Sequence, residues 1–93
     1  MSHTERDRAK LRNRIKRIHG QIESVERTLS VDDHDCAQVL MLLAAVRGGI
    51  NSLMAEVLED HIRLHVSDPA RDRDRTRARG AKHLIEVVHA YLR

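Results

Sequence analysis

The chain has 93 residues, 33% of them Asp, Glu, Lys or Arg, with one Tyr, no Trp or Phe, one Cys and a formal net charge of +3. That length sets a single domain, residues 1–93, with an aliphatic and modest core. One Pro and four Gly among abundant Ala, Leu, Arg and Glu argue against a sheet and for an all-α fold, and a lone Cys36 rules out an internal disulfide.

No signal peptide precedes the charged start, and no apolar run reaches the roughly 18 residues a membrane span needs. The expected location is therefore cytoplasmic, with a reduced thiol.

In the first element, Leu11, Ile15, Ile18, Ile22, Val25 and Leu29 recur at alternating steps of four and three. This heptad stripe predicts an amphipathic helix over residues 5 to 29. Seven of the 17 basic residues crowd into residues 6 to 17, opposed there only by Asp7. Such an excess fits a polyanion such as DNA, or a solvated helix face laced with salt bridges.

The segment SVDDHD then supplies turn and capping residues. A second stripe follows in Val39, Leu43, Val46, Ile50, Leu53 and Val57, and residues 39 to 46 read VLMLLAAV without a polar side chain. A helix apolar around most of its circumference needs cover on several sides. One neighbouring helix of the same chain cannot provide it, so self-association is expected. Gly48 and Gly49 lower the helix propensity and mark a kink or a close helix contact. After SDP, the charge-alternating ARDRDRTRARG reads as a linker or a solvated helical extension. Ala81, Leu84, Ile85, Val88 and Leu92 then mark a short third helix.

His61 and His65 are four apart and continue the apolar stripe of Met54 and Leu58, so both rings lie on one helix face and are expected to face the bundle. The spacing suits a metal gripped from one helix; most pairs at this spacing are solvated surface residues, and a hydrogen-bonded core pair is a further alternative. Cys36 is the natural third ligand. It lies 25 residues before His61 on the same helix, about 37 Å away at 1.5 Å per residue, so one chain cannot bring the two together. An antiparallel partner chain can. Folding the first helix back sets residue 3 opposite residue 60 or so, which adds His3. The expected site joins His3, His61 and His65 of one chain to Cys36 of another, twice per dimer. One thiolate and three imidazoles suit nickel, cobalt or zinc, whereas cuprous copper favours more sulfur. His3 adjoins the amino terminus, whose amine and backbone amides, after loss of the initiator Met, would give the higher coordination number that nickel and cobalt accept. His19, His34, His83 and His89 read as surface residues, with His34 close to Cys36 in sequence.

MSHT, RIKRIHGQIESVERTL, Cys36 and AAVRGGINSLMAEVLEDHIRLH together resemble the CsoR/RcnR family of small all-helical transcriptional repressors over nearly the whole chain. The resemblance implies a three-helix protomer, an antiparallel dimer, a homotetramer built as a dimer of dimers, and operator DNA bound without a helix-turn-helix. It also implies that a bound ligand lowers DNA affinity and derepresses transcription, here of metal efflux. The copper branch carries Cys where this chain has His65, and the formaldehyde branch has Pro at position 2 and lacks that His. Ser2, His3, Cys36, His61 and His65 resemble the nickel/cobalt branch.

Lys10, Arg14, Arg17 and Gln21 share one polar face, expected opposite the apolar stripe, and matching family positions imply that Arg14, Arg17, Gln21 and Arg47 face DNA. Three functions stand: a nickel- or cobalt-responsive repressor, a formaldehyde-responsive repressor using Cys36 and the terminal amine, and a helical metal buffer without DNA binding. No nucleophile–base pair points to an enzyme.

Overall fold

The computed structural model describes residues 5–93, so His3 lies outside the described residues. It consists of three helices, α1 (Glu5–Leu29), α2 (Cys36–His65) and α3 (Arg75–Tyr91), and is all-α. Each boundary has a local cause. At the end of α1, the Ser30 amide and hydroxyl both donate to the Glu26 carbonyl, at 3.1 and 2.8 Å. Asp35 caps α2: its carboxylate accepts from the Ala37 amide at 2.9 Å and its carbonyl from the Val39 amide at 3.1 Å. Asp74 does the same for α3, accepting from the Arg77 amide at 3.1 Å. The helix therefore begins inside the Arg/Asp stretch, which is half connector and half helix.

The chain divides into two compact units, one holding α1 with α2 up to Ile50, the other holding α2 from Asn51 onward with the connector and α3. In the first, Ile18 and Val25 of α1 and Val39 and Val46 of α2 are buried. Gly49 lets the helices approach closely, since a Cβ there would stand 3.2 Å from Ile18 Cγ1. α2 runs as one helix through both glycines.

In the second unit, Ile62, Ala81 and Ile85 form a buried cluster with Val88 packed against it. His89 Nε2–H donates to Glu59 Oε1 at 2.6 Å, and Arg63 Nε donates to Glu59 Oε2 at 2.9 Å. Burial alone would raise the Glu59 carboxyl, but the hydrogen bonds from His89 and Arg63 outweigh it and hold that group below its ordinary value. This network ties the last turns of α2 to α3.

Both heptad stripes are divided down the middle. On α1, Ile18 and Val25 turn inward while Ile15, Ile22 and Leu29 remain 44%, 49% and 51% exposed. On α2, Val39 and Val46 are buried and Leu43, Ile50 and Val57 are exposed. A stripe two ridges wide fits between two neighbours, and the described residues of the chain leave one ridge of each stripe exposed.

One expectation needs correcting. α2 is long and apolar enough, by length and composition, to cross a membrane. Arg47 interrupts the apolar run in the sequence, but it is the only charged residue between Cys36 and Met54, and one charge does not cancel the apolarity of the stretch around it.

Candidate functional site

α2 carries the candidate ligands at its two ends. Cys36 is its first residue, exposed and free. His61 and His65 occupy its final turns, with ring centroids 4.8 Å apart and planes tilted by 45°. Both rings are exposed, and neither has a hydrogen-bond partner among the described residues. Within the protomer they lie away from its buried core, on the side of α2 that carries the apolar stripe. That stripe lies on the open side of α2, where Met54 and Leu58 are 47% and 41% exposed, while Ala55 and Ile62 take the buried side. Two adjacent imidazoles with unengaged nitrogens can bind one cation from a single helix face.

Among the described residues, no three metal-binding side chains converge within the chain. Helical geometry explains the separation, because the first and last turns of an unbroken helix cannot meet. The other histidines differ in their surroundings. His34 Nδ1 lies 3.0 Å from the Val31 carbonyl, fastening the turn before α2. His19 and His83 are exposed. His89 is exposed as expected but is engaged by Glu59, a pairing 30 residues apart that no local spacing signals.

The exposed side of α2 has an order of its own. Cys36, Leu40, Leu43, Arg47, Ile50, Met54, Val57, His61 and Leu64 succeed one another at alternating steps of four and three, and every one of them is exposed. This is the a/d spacing of a coiled-coil seam, with Cys36 and His61 as members and no helix among the described residues covering it. The sequence pattern contained the seam, but the stripe of Val39, Val46 and Leu53 beside it obscured which ridge was free.

The basic cluster of α1 is largely unpaired. Arg8 pairs with Glu5, whereas Lys10, Arg12, Lys16 and Arg17 have no ion-pair partner among the described residues. Lys10 and Arg17 are exposed; Arg14 and Gln21 are half-buried. The face they share therefore adjoins the packed side of α1 and does not oppose it. At 100° per residue it sits about a quarter turn from the apolar stripe. Gln21 Oε1 lies 3.8 Å from where a Gly49 Cβ would be, which places it at the α1–α2 contact of the first unit. Arg47 is exposed on α2.

Residues 7–90 match the family described as metal-sensitive transcriptional repressors. Over the full length of both chains, the protein is 43% identical to a Serratia marcescens protein known as an uncharacterized protein in the bioA 5′ region. Across an alignment of 96 residues, again covering both chains completely, it is 38% identical to the transcriptional repressor RcnR of Salmonella paratyphi B and of Salmonella typhimurium.

Proposed function

The chain belongs to the metal-sensitive transcriptional repressor family, and from that premise we propose that it holds operator DNA when metal-free and releases it on binding nickel or cobalt, so derepressing metal efflux in the cytoplasm. Members of the family are repressors and not enzymes, and repression implies DNA binding. The metal, the ligand set and the assembly are our own reading.

One observation carries it: Cys36 and His61 lie on the same uncovered seam of α2. An antiparallel copy of α2 centred between Gly48 and Gly49 sets Cys36 opposite His61, Leu40 opposite Val57, Leu43 opposite Met54 and Arg47 opposite Ile50. Each a position then meets a d position, as antiparallel packing requires. Leu40–Val57 and Leu43–Met54 are apolar pairs, Arg47–Ile50 flanks the axis, and potential ligands close the two ends of the seam. His65, one turn beyond His61, and His3 complete the set, while the ridge of Ile15, Ile22 and Leu29 on α1 offers further surface for a dimer of dimers.

The donor chemistry fits a borderline divalent ion. Cys36 must lose its proton and the imidazoles must be neutral, and no intramolecular hydrogen bond has to be broken first at His61 or His65. Cys36 of one chain with His61 and His65 of another would hold the ion, which would supply a link between the ends of two neighbouring α2 helices. Arg47, the one permanent charge on the seam, sits beside the two-fold axis and reaches past the apolar contact with its long stem. With Lys10, Arg14, Arg17 and Gln21 it forms the DNA face, so a shift of α2 on metal binding changes how these cations match phosphates. A coupling on the order of 1–3 kcal/mol suffices for regulation.

Operator binding by the reduced protein, titrated in parallel with nickel, cobalt, zinc, cuprous ion and formaldehyde, tests the reading. Release by nickel or cobalt, lost in His65→Ala, is expected. Release by formaldehyde alone, retained in His65→Ala, would replace the metal with an aldehyde bridging Cys36 and the terminal amine. Metal binding without any salt-sensitive DNA binding would make the protein a buffer.

A further inference from the structure

The Arg/Asp stretch before and within α3 looks self-neutralising in sequence, but its geometry leaves several cations without an ion-pair partner among the described residues, Arg73 and three on α3 itself. Asp68 is engaged by Arg63 at 3.0 Å and by Arg71 at 4.0 Å. Asp72 accepts from Arg77 and from the Ser67 hydroxyl, both at 2.6 Å. Asp74 caps α3 and lies 3.9 Å from Arg77. Every nearby Asp is thus taken by Arg63, Arg71 or Arg77. Arg75, Arg79 and Lys82 are exposed and have no ion-pair partner among the described residues.

These three recur at steps of four and three on one face of α3 and line a single groove, with Pro69 and Ala78 on its walls. Asp72 is the only acid lining it, and its charge is already matched by Arg77. Seven residues of helix span about 10.5 Å, close to the Debye length of about 8 Å at physiological ionic strength. The cations therefore act on one polyanion together. No aromatic, Asn or Gln side chain lines the groove, so it offers charge to a backbone and nothing that reads or stacks on a base.

We propose that this groove is a second phosphate-contacting surface for duplex DNA, separate in sequence from the basic cluster of α1 and blind to base identity. The proposal depends on the reading of the chain as a DNA-binding repressor. It adds affinity and salt sensitivity to that reading without adding specificity.

The test uses the full-length protein, a mixed-sequence duplex, and a duplex the protein itself selects from a random pool. Arg75→Gln/Arg79→Gln/Lys82→Gln should bind both duplexes more weakly, with the slope of log affinity against log salt smaller by about 0.9 for each phosphate no longer neutralised. The ratio of the two affinities should not change. Arg75→Lys/Arg79→Lys, which keeps the charge, should behave as wild type. Arg27→Gln/Arg93→Gln, which removes charge elsewhere, should leave the slope unaltered. Wild-type affinity and slope in the folded triple variant overturn the proposal, as does an equal loss in the Arg27/Arg93 control. Arg14→Ala and Arg17→Ala measured alongside separate the two surfaces. If those variants bind normally and the triple variant does not, the α1 face falls and the α3 groove stands.

Discussion

Asp72 accepts a forked pair of hydrogen bonds from Arg77, from Nε at 2.6 Å and from Nη2 at 2.9 Å, and in doing so joins the connector after α2 to the first turn of α3. Ser67, the buried polar residue that follows α2, donates to the same carboxylate, and the Asp74 amide donates as well. The Arg77 hydrogen bonds foremost, then those of Ser67 and Asp74, hold the Asp72 carboxyl far below the ordinary carboxylate range. A lowered folded-state value means that the stabilisation is complete above the unfolded value and disappears only as pH falls through the folded one.

Asp72→Asn should therefore reduce hydrogen-exchange protection in the first turns of α3 at neutral pH. The difference from wild type should persist at pH 3.8, the ordinary value for this group, and narrow only in stronger acid. A difference already gone at that pH would show that the carboxylate does not clamp the connector.

Gly48 and Gly49 are adjacent but respond to different surroundings. A Cβ at Gly49 would stand 3.2 Å from Ile18 Cγ1 and 3.6 Å from Cδ1, whereas at Gly48 nothing lies within 4 Å. Gly48→Ala should stabilise the protomer by about 0.5–1 kcal/mol through helix propensity. Gly49→Val should overpack the α1–α2 contact and cost about 1–3 kcal/mol. Denaturant titration of both variants checks the contrast. A destabilised Gly48→Ala would mean that a neighbouring chain packs against that position.

Much of this architecture is legible in the sequence, and the exceptions have physical reasons. The ends of α1 and α2 follow from the capping run SVDDHD and from the turn at SDP, because caps act through local hydrogen bonds. The outward ridges of α1 and α2 do not follow, because Ile15 and Ile18, or Leu43 and Val46, are equally apolar, and only packing decides which turns inward. His61 and His65 are recognisable as a pair from spacing alone, but their exposure is not, since the same stripe would serve a core. Glu59–His89 and the unmatched Arg75, Arg79 and Lys82 depend on tertiary geometry that charge alternation hides.

The exposed seam sets up an assembly prediction. Leu43, Ile50 and Val57 are 46%, 40% and 51% exposed in the protomer, too much aliphatic surface to leave in water along one helix. Ile50→Lys, opposite Arg47 of the other copy and close to the proposed two-fold axis, should bring two like charges together in the contact and yield smaller species in sedimentation velocity. Leu84→Glu, on α3 at a residue 44% exposed but outside the seam, should leave the assembly intact. If wild type sediments as a folded monomer at micromolar concentration, the seam has no partner and the shared metal site has no basis.

The site itself is tested by separating its halves. Cys36→Ala should remove the thiolate-to-metal charge-transfer absorption of the nickel- or cobalt-loaded protein, and His61→Ala should weaken binding severely. Affinity in the wild type should fall as pH drops, because the thiol and the imidazoles must release protons to bind. If one chain donates Cys36 and another donates His61, then neither variant alone can build a complete site. A mixed dimer of the two holds one pair of wild-type halves facing each other and one pair of doubly damaged halves. Mixing should therefore restore one site per mixed dimer, read as recovered charge-transfer absorption at half the wild-type stoichiometry. Mixed dimers that demonstrably form, tracked by tags of different mass, yet recover no absorption would place both ligands outside a shared centre and break the link between the seam and the sensing site.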